Sequence, residues 1–356
     1  MSLPAEVPND DKPTPRRPSI VTIILGIVLV VVLVIGTLEI LPSNYYILLP
    51  GDALAVSPMI SIAGHPARNR SGNLYMTDVT FIKADHLLEE LYGRLNSGAD
   101  LERSQQFSGG LSQTQYLKLN ASLMTDSTHQ AEAAALNTVP GYHPTFASTG
   151  PRIVFLVPKT PASRVLKAGD VVEYVNGQRV KRAAQVAPLV RKVRPGQSIQ
   201  LGVLRKNRLI RLTVSTVRST NGVPDVKGKT ALIGIEVQDQ LKFPVKIHIN
   251  AGNIVGPSAG LMFALGIVQR LSPTDITHGC KVAGTGTIDF NGQVGAIGGA
   301  KQKIIAANNA GAKYFFVPNV KENLDPAMAH RGNVTVVPVK TLRQALAFLR
   351  QLTPCR

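Results

Sequence analysis

The chain has 356 residues, 44% of them apolar and 17% charged, which suits a membrane anchor plus two modest domains and excludes a chain disordered by composition. Lys and Arg total 39 against 22 Asp and Glu, a formal net charge of +17, and two cysteines, Cys280 and Cys355, exclude a disulfide-dense scaffold or a cysteine-based zinc site. CxxC, HExxH and GxxxxGK[ST] do not occur, so metal, dithiol and nucleotide-triphosphate chemistry lack sequence support, and neither cofactor nor metal is expected.

Residues 1–19 form a short Pro-rich tail, and residues 20–38 read IVTIILGIVLVVVLVIGTL, without a charge until Glu39. At 1.5 Å per residue that run is about 28 Å long, close to the roughly 30 Å of a bilayer core. It exceeds the usual signal-peptide core and no A-x-A pattern follows, so residues 20–41 are expected to be an uncleaved span. Lys12, Arg16 and Arg17 keep the N-terminus cytoplasmic and leave everything after Pro42 outside the cell membrane. Tyr45 and Tyr46 stand where interfacial aromatics are expected. An outer location also permits, without establishing, a Cys280–Cys355 disulfide.

Residues 56–81 hold short apolar runs broken by a turn-rich loop at 64–72, and residues 74–81 read as a strand. A helical pattern, HLLEELYGRL, begins near Asp85. Residues 97–128 are polar with weak periodicity, suggesting loop and a short helix, and residues 130–138 look helical until Pro140-Gly141.

From Gly150 the texture changes. Residues 153–157 form an apolar strand, 161–166 a helical turn and 171–175 a strand closed by the hairpin dipeptide Asn176-Gly177. Residues 183–193 look helical and end at Pro195-Gly196, and 199–204 pairs with 209–214. This order, with PASRVLKAGDVVEYVNGQRV at its centre, resembles a PDZ domain over residues 150–217. The resemblance implies an extended peptide bound by strand addition between Ile153, Val154, Phe155 and Leu156 on one side and Val186, Leu189 and Val190 on the other. Two departures stand out. Only Thr149-Gly150-Pro151 precedes the strand where a glycine-rich carboxylate loop belongs, and Pro188 should kink the groove helix.

Residues 179–211 carry ten basic residues and no acidic one. Such a face suits acidic peptides, anionic lipid head groups or anionic wall polymers, and it is expected to be a solvated basic surface with a mild bias towards the membrane. Nucleic acid is not expected as a partner, since aromatics for base stacking are 5% of the chain and the segment is expected outside the cell.

Residues 245–250 read as a strand leading to Gly256-Pro257-Ser258-Ala259-Gly260 and an apolar helix over 261–271. A serine at a helix mouth lies beside unpaired N–H groups that can stabilise an oxyanion, and the flanking small residues leave room for a substrate carbonyl. GxSxG alone also fits an α/β-hydrolase elbow or simple capping. Downstream come a strand-turn-strand over 282–294, the stretch IGGAKQK ending in Lys301 and Lys303 on a helix closed by Gly311, and an apolar strand over 314–317.

GPSAG, TGTIDFNGQV, IGGAKQK and AGAKYFFVPN occur in the order found in Lon proteases, and residues 244–352 resemble their proteolytic domain. With one span and a PDZ segment, the chain resembles the YlbL-type membrane-anchored PDZ-Lon proteins. The resemblance implies an α+β protein with one N-terminal transmembrane helix, a β-rich PDZ-like segment and a Lon-like α+β domain over 230–352, residues 45–149 lending strands to it. It implies a serine endopeptidase with Ser258 as nucleophile, Lys303 as base, Thr285 orienting the lysine, and Gly256, Pro257, Ala259 and Gly260 shaping the loop. Two residues apart on a helix, Lys301 and Lys303 point about 200° apart, so Lys301 is expected to be solvated. Burial near Ile304 and Ala307 would keep Lys303 neutral. The resemblance further implies protein or peptide substrates and a homo-oligomer, and, with no ATPase module in the pattern, ATP-independent cleavage of accessible segments.

The pattern departs from Lon in Val255, where an acidic residue often stands, and in Thr287 of Thr285-Gly286-Thr287. Two other readings remain open: a Ser-His-Asp hydrolase using Ser258, Asp289 or Asp325, and His330, and a non-catalytic PDZ scaffold. His248 and His278 carry no assigned role, and residues 326–332 are expected to be a loop before a strand over 334–339 and a helix over 342–352.

Overall fold

The computed structural model describes residues 19–67, 72–218, 230–252 and 254–355. The basic tail residues Lys12, Arg16 and Arg17 lie outside the described residues. The Ile20–Ile40 helix starts at Ser19, whose hydroxyl accepts the Thr22 N–H, and none of its side chains is buried by the rest of the chain. Its 21 residues are long and apolar enough to cross a bilayer. Pro42 cannot continue a helix, and the chain passes at once into the Pro42–Ala55 strand.

That immediate entry corrects the expectation for Tyr46. It lies in a strand flanked on both sides, paired with Lys83 and with Glu102. Its buried ring stacks on Phe107 at 4.4 Å between centroids and meets the edge of Phe81 at 6.3 Å. Tyr45 is half-buried, with the Arg94 guanidinium 5.6 Å from its ring centroid.

The main sheet has six strands, in the order Thr335–Val339, Tyr314–Pro318, Lys281–Gly284, Asn73–His86, Pro42–Ala55 and Asp100–Arg103. Three of them precede the inserted PDZ-like segment in sequence and three follow it. The seam is the parallel pairing of Lys281–Gly284 with residues 73–76, Val282 opposite Leu74. The parallel strands at the other end need crossovers, supplied by the Ala300–Asn309 and Lys321–Ala329 helices. Side chains alternate across this sheet: Phe315 and Val317 face Ile304, Ala307 and Ala327, whereas Phe316 faces the larger core around Phe263, Leu265 and Met124. Pro326 lies inside the Lys321–Ala329 helix, where a loop is expected from the sequence.

The Gln113–Leu136 helix, 24 residues long, replaces most of the expected loop. Ser112 caps it in a capping box with Gln115, and Ala131, Ala133, Ala134 and Ala135 are buried. Its polar first turns hide the periodicity, and packing along the Gly260–Leu271 helix stabilises what propensity alone leaves ambiguous.

The inserted segment forms a second sheet, in the order Arg208–Ser215, Ser198–Arg205, Val171–Val175, Arg152–Leu156 and Ile235–Gln238. Asn176 and Gly177 take φ of 48° and 79°, the left-handed pair that a tight hairpin requires. The fifth strand is supplied from beyond residue 217: Ile235 pairs with Leu156 and Gln238 with Arg152. The expected groove helix is a 3-10 turn, Ala183–Gln185, followed by Val186–Val190. Pro188 falls in the first turn of the latter, where a missing N–H costs little. Cys280 and Cys355 are disulfide-bonded, which ties the C-terminal residues to the start of the Lys281–Gly284 strand.

Candidate active site

Ser258 is delivered by the Ile247–Ile249 strand, which pairs with Ile60–Ile62, and by the 3-10 turn Pro257–Ala259 that opens the Gly260–Leu271 helix. Gly256 turns the chain at φ 103°, a conformation that a side chain would strain. The loop is held from two sides. The Gly256 N–H donates to the Asn120 carbonyl at 3.1 Å, and Ser127 Oγ donates to the Pro257 carbonyl at 2.7 Å. From the other side, the Gly286 N–H and Thr285 Oγ1 both donate to the Ser258 carbonyl, at 2.8 and 3.0 Å. Gly260 and Ala259 are buried. A Cβ on Gly260 would come within 2.7 Å of Ser127 Oγ and 2.9 Å of Ile288 Cγ2, so its smallness serves packing rather than substrate approach.

Lys303, buried in the first turns of the Ala300–Asn309 helix, places Nζ 2.7 Å from Ser258 Oγ and 3.3 Å from Thr285 Oγ1. Burial pushes its amine down to about 7, against a smaller upward pull from the Asp78 carboxylate. A neutral amine has two N–H groups and one lone pair. The Thr285 proton is committed to the Ser258 carbonyl, so Thr285 Oγ1 accepts from Lys303, and the lone pair is free to accept the Ser258 proton.

Lys301 is not solvated as expected. Its Nζ lies 2.9 Å from Asp100 Oδ1 and donates to the Ala99 carbonyl at 2.9 Å. The Asp100–Arg103 strand lies beside this helix and gives the second lysine a carboxylate partner. The two lysines do point to different surroundings.

A cavity of about 710 Å³ opens over Ser258 and Lys303. Met76, Phe81, Phe107, Tyr116 and Met124 give it an apolar wall, and Asp78 and Glu102 are the acidic groups on it. Burial, reinforced by Asp100, raises the Glu102 carboxyl above its ordinary value. Asp78 Oδ1 accepts the Asp52 N–H at 2.5 Å. These wall residues, with Asn120 and Ser127, come from the region before residue 149, where sequence reasoning assigned no site residue. A signal was present: Tyr116, Asn120, Met124 and Ser127 are spaced four, four and three apart, one face of a helix.

The histidine alternative is not assembled. The exposed His330 ring lies 2.9 Å from the Pro326 carbonyl in its own helix, and Asp289 accepts the N–H groups of Asn291 and Gln293 in a tight turn. His248 is exposed.

The expected peptide-binding residues are not gathered around an open strand edge. Ile153, Val186 and Val190 are buried in the core of the second sheet, and Val154, Phe155, Leu156 and Leu189 are half-buried. The edge of Arg152–Leu156 where a peptide strand would add is paired with the chain's own Ile235–Gln238. That strand is fastened to the Gln113–Leu136 helix, Gln238 Nε2 donating to the Ser122 carbonyl at 2.7 Å.

Residues 215–350 match the family model of the Lon protease (S16) C-terminal proteolytic domain, and residues 128–216 match that of the PDZ domain. The Lon protease of Mesomycoplasma hyopneumoniae is 34% identical over 148 residues, 37% of this chain and 17% of that protein. The Lon protease of Xanthomonas oryzae pv. oryzae is 36% identical over 136 residues, 36% of this chain and 16% of that protein. The chain thus spans about a sixth of the length of these curated relatives. The PDZ domain of an SdrC-like protein from Listeria monocytogenes is 19% identical, with a TM-score of 0.23, over 26% of this chain and 92% of that one. One chain therefore carries a segment that matches the Lon proteolytic domain, a segment that matches the PDZ domain, and an N-terminal apolar helix.

Proposed function

We propose that this chain, in which a Lon-type proteolytic domain is joined to a PDZ domain behind an apolar helix, is a membrane-anchored serine endopeptidase with a Ser258–Lys303 dyad. The observation that carries the reading is a buried amine, poised near neutrality, 2.7 Å from a serine hydroxyl in an apolar cavity. Lys303 takes the Ser258 proton as Oγ bonds to the substrate carbonyl carbon. The Ser258 N–H, the first that the turn offers because Pro257 has none and the Gly256 N–H is held by the Asn120 carbonyl, stabilises the resulting oxyanion. When the C–N bond breaks, Lys303 returns the proton to the leaving amine. It then takes a proton from the water that attacks the ester and passes it to Ser258 Oγ as the acyl C–O bond breaks, which regenerates Ser258 and the neutral amine. Thr285 orients the amine throughout.

Substrates are proteins or peptides, which a PDZ domain beside a protease suits, cut in accessible segments without coupled ATP hydrolysis. The Ile20–Ile40 helix supports a single-pass anchor, and the basic residues before it support a cytoplasmic N-terminus. The Cys280–Cys355 disulfide suits the oxidising conditions of an extracytoplasmic domain.

The test treats the full-length protein with a slowly deacylating peptide ester and seeks the adduct by mass spectrometry. An adduct on the peptide containing Ser258, lost in Lys303→Ala, is the expected result. Membrane and released proteomes of cells carrying Ser258→Ala should show a substrate accumulating uncut. No adduct together with unchanged proteomes would overturn the proposal.

A further inference from the structure

The Leu87–Leu95 helix has its amphipathy reversed. Its buried positions are Glu90 and Gly93, not leucines. The Glu90 carboxylate accepts from Ser43 Oγ at 2.8 Å and from Arg94 Nη2 at 2.6 Å, and Gly93 sits so near Ile47 that a Cβ would come within 3.1 Å of its Cγ2. The opposite face carries Leu88, Leu91, Tyr92 and Leu95, the i, i+3, i+4, i+7 stripe of a helix that buries one side. Here that stripe faces outward. Leu95 is 78% exposed, Tyr92 55% and Leu91 38%. Three large apolar side chains left in the open on nine residues call for an occupant.

The helix's position identifies the occupant. Its first residue is fastened to the end of the apolar span, the Leu87 N–H donating to the Leu41 carbonyl at 2.9 Å and the Leu41 N–H to the Thr37 carbonyl at 3.1 Å. Ile40 and Leu41 are themselves exposed, so the stripe continues the uncovered end of the Ile20–Ile40 helix. No linker separates the span from the strand that Gly93 packs on. A bilayer crossed by Ile20–Ile40 therefore has its boundary where this helix begins. A tyrosine beside leucines is the composition of such a boundary.

We propose that the Leu87–Leu95 helix lies in the headgroup–acyl boundary of the bilayer that Ile20–Ile40 spans, with Leu91, Tyr92 and Leu95 in lipid. The proteolytic domain then has two attachments to the membrane, a span and an interfacial helix, and is held at a set orientation instead of swinging on a tether. This inference rests on the reading of Ile20–Ile40 as a span.

The chain contains no tryptophan, so a single introduced indole reports its own surroundings. Full-length Leu95→Trp, Tyr92→Trp and, within the span, Val31→Trp are each reconstituted in phosphatidylcholine vesicles. The lipids are unbrominated, brominated near the headgroup, or brominated near the chain end. Leu95→Trp and Tyr92→Trp should lose about half of their emission or more to headgroup-proximal bromines, and Val31→Trp should respond most to bromines near the chain end. Quenching of Val31→Trp with neither helix variant quenched overturns the interfacial helix and leaves the anchor standing. In that case solvent-like emission means an uncovered stripe, and blue-shifted emission means a protein occupant such as a second copy. An unquenched Val31→Trp overturns the anchor, and this inference with it.

Discussion

Ser127 Oγ donates a 2.7 Å hydrogen bond to the Pro257 carbonyl across 130 positions of sequence, tying a helix that precedes the second sheet to the residue just before the candidate nucleophile. The same helix holds Gly256 through Asn120 and the last strand of the PDZ-like sheet through Ser122. One rigid element thus touches both the reacting loop and the second sheet.

Ser127→Ala leaves the Pro257 carbonyl without its side-chain donor and opens space beside Gly260. A stability loss of about 1–3 kcal/mol is expected, with kcat down roughly tenfold as Ser258 drifts from Lys303. Thermal melts and peptide-hydrolysis kinetics check this. An unchanged kcat would show that the bond does not position the loop.

Activity should rise with pH through a midpoint near 7, because Lys303 must be neutral to accept a proton. Lys303→Ala should cost roughly three orders of magnitude or more in kcat/KM. The stability sign follows from linkage. The unfolded chain holds the lysine proton to about 10.4, whereas the folded chain releases it near 7. Between those values the unfolded state binds more protons, so this group's contribution to stability rises with pH. Lys303→Met should therefore raise Tm most at pH 7 and below, its advantage shrinking towards pH 10. A Tm difference independent of pH would contradict a depressed lysine.

Thr285→Val keeps the shape of the side chain but removes both its donor to Ser258 and its acceptor for Lys303. We expect kcat to fall about tenfold to a hundredfold, with most of the loss restored in Thr285→Ser. If valine and serine variants behave alike, packing and not hydrogen bonding is what Thr285 supplies.

Carboxylates crowd where the Gln113–Leu136 helix meets the second sheet. Burial, then the charge of Asp126, raises Glu236 to about 7. Burial lifts Asp126 itself to about 6, with Gln130 opposing and Asp239 adding to the rise. Asp239 is in turn raised by burial and lowered by the Ala183 N–H and Arg182. Raised carboxyl values mean that their contribution is fully present below about pH 4 and is lost as pH climbs through 6–7. Glu236→Gln should raise Tm by a few degrees at pH 8 and leave it nearly unchanged at pH 4. A gain that is equal at both pH values would argue against a buried charge.

Legibility in the sequence follows the distance over which each feature is encoded. Ser258, Thr285 and Lys303 are readable because each lies in a short motif whose turn or helix is local, and the structure brings these three side chains together. Tyr46 is misread because its burial depends on Phe81 and Phe107, far along the chain. Lys301 is misread because its partner, Asp100, lies some two hundred residues earlier. The peptide-binding edge is misread because the strand that covers it falls beyond the segment's apparent end. The aromatic cavity wall has readable spacing at Tyr116, Asn120, Met124 and Ser127, masked by polar neighbours.

The fifth strand of the second sheet carries a practical lesson for anyone dissecting this chain. A fragment cut at residue 217, where the hairpins end, would strip Ile235–Gln238 from Arg152–Leu156 and uncover a ladder of unsatisfied amides and carbonyls. Such a raw border recruits whatever extended chain is nearby, so the excised piece would self-associate, or grip peptides at an edge that the intact chain pairs with its own strand.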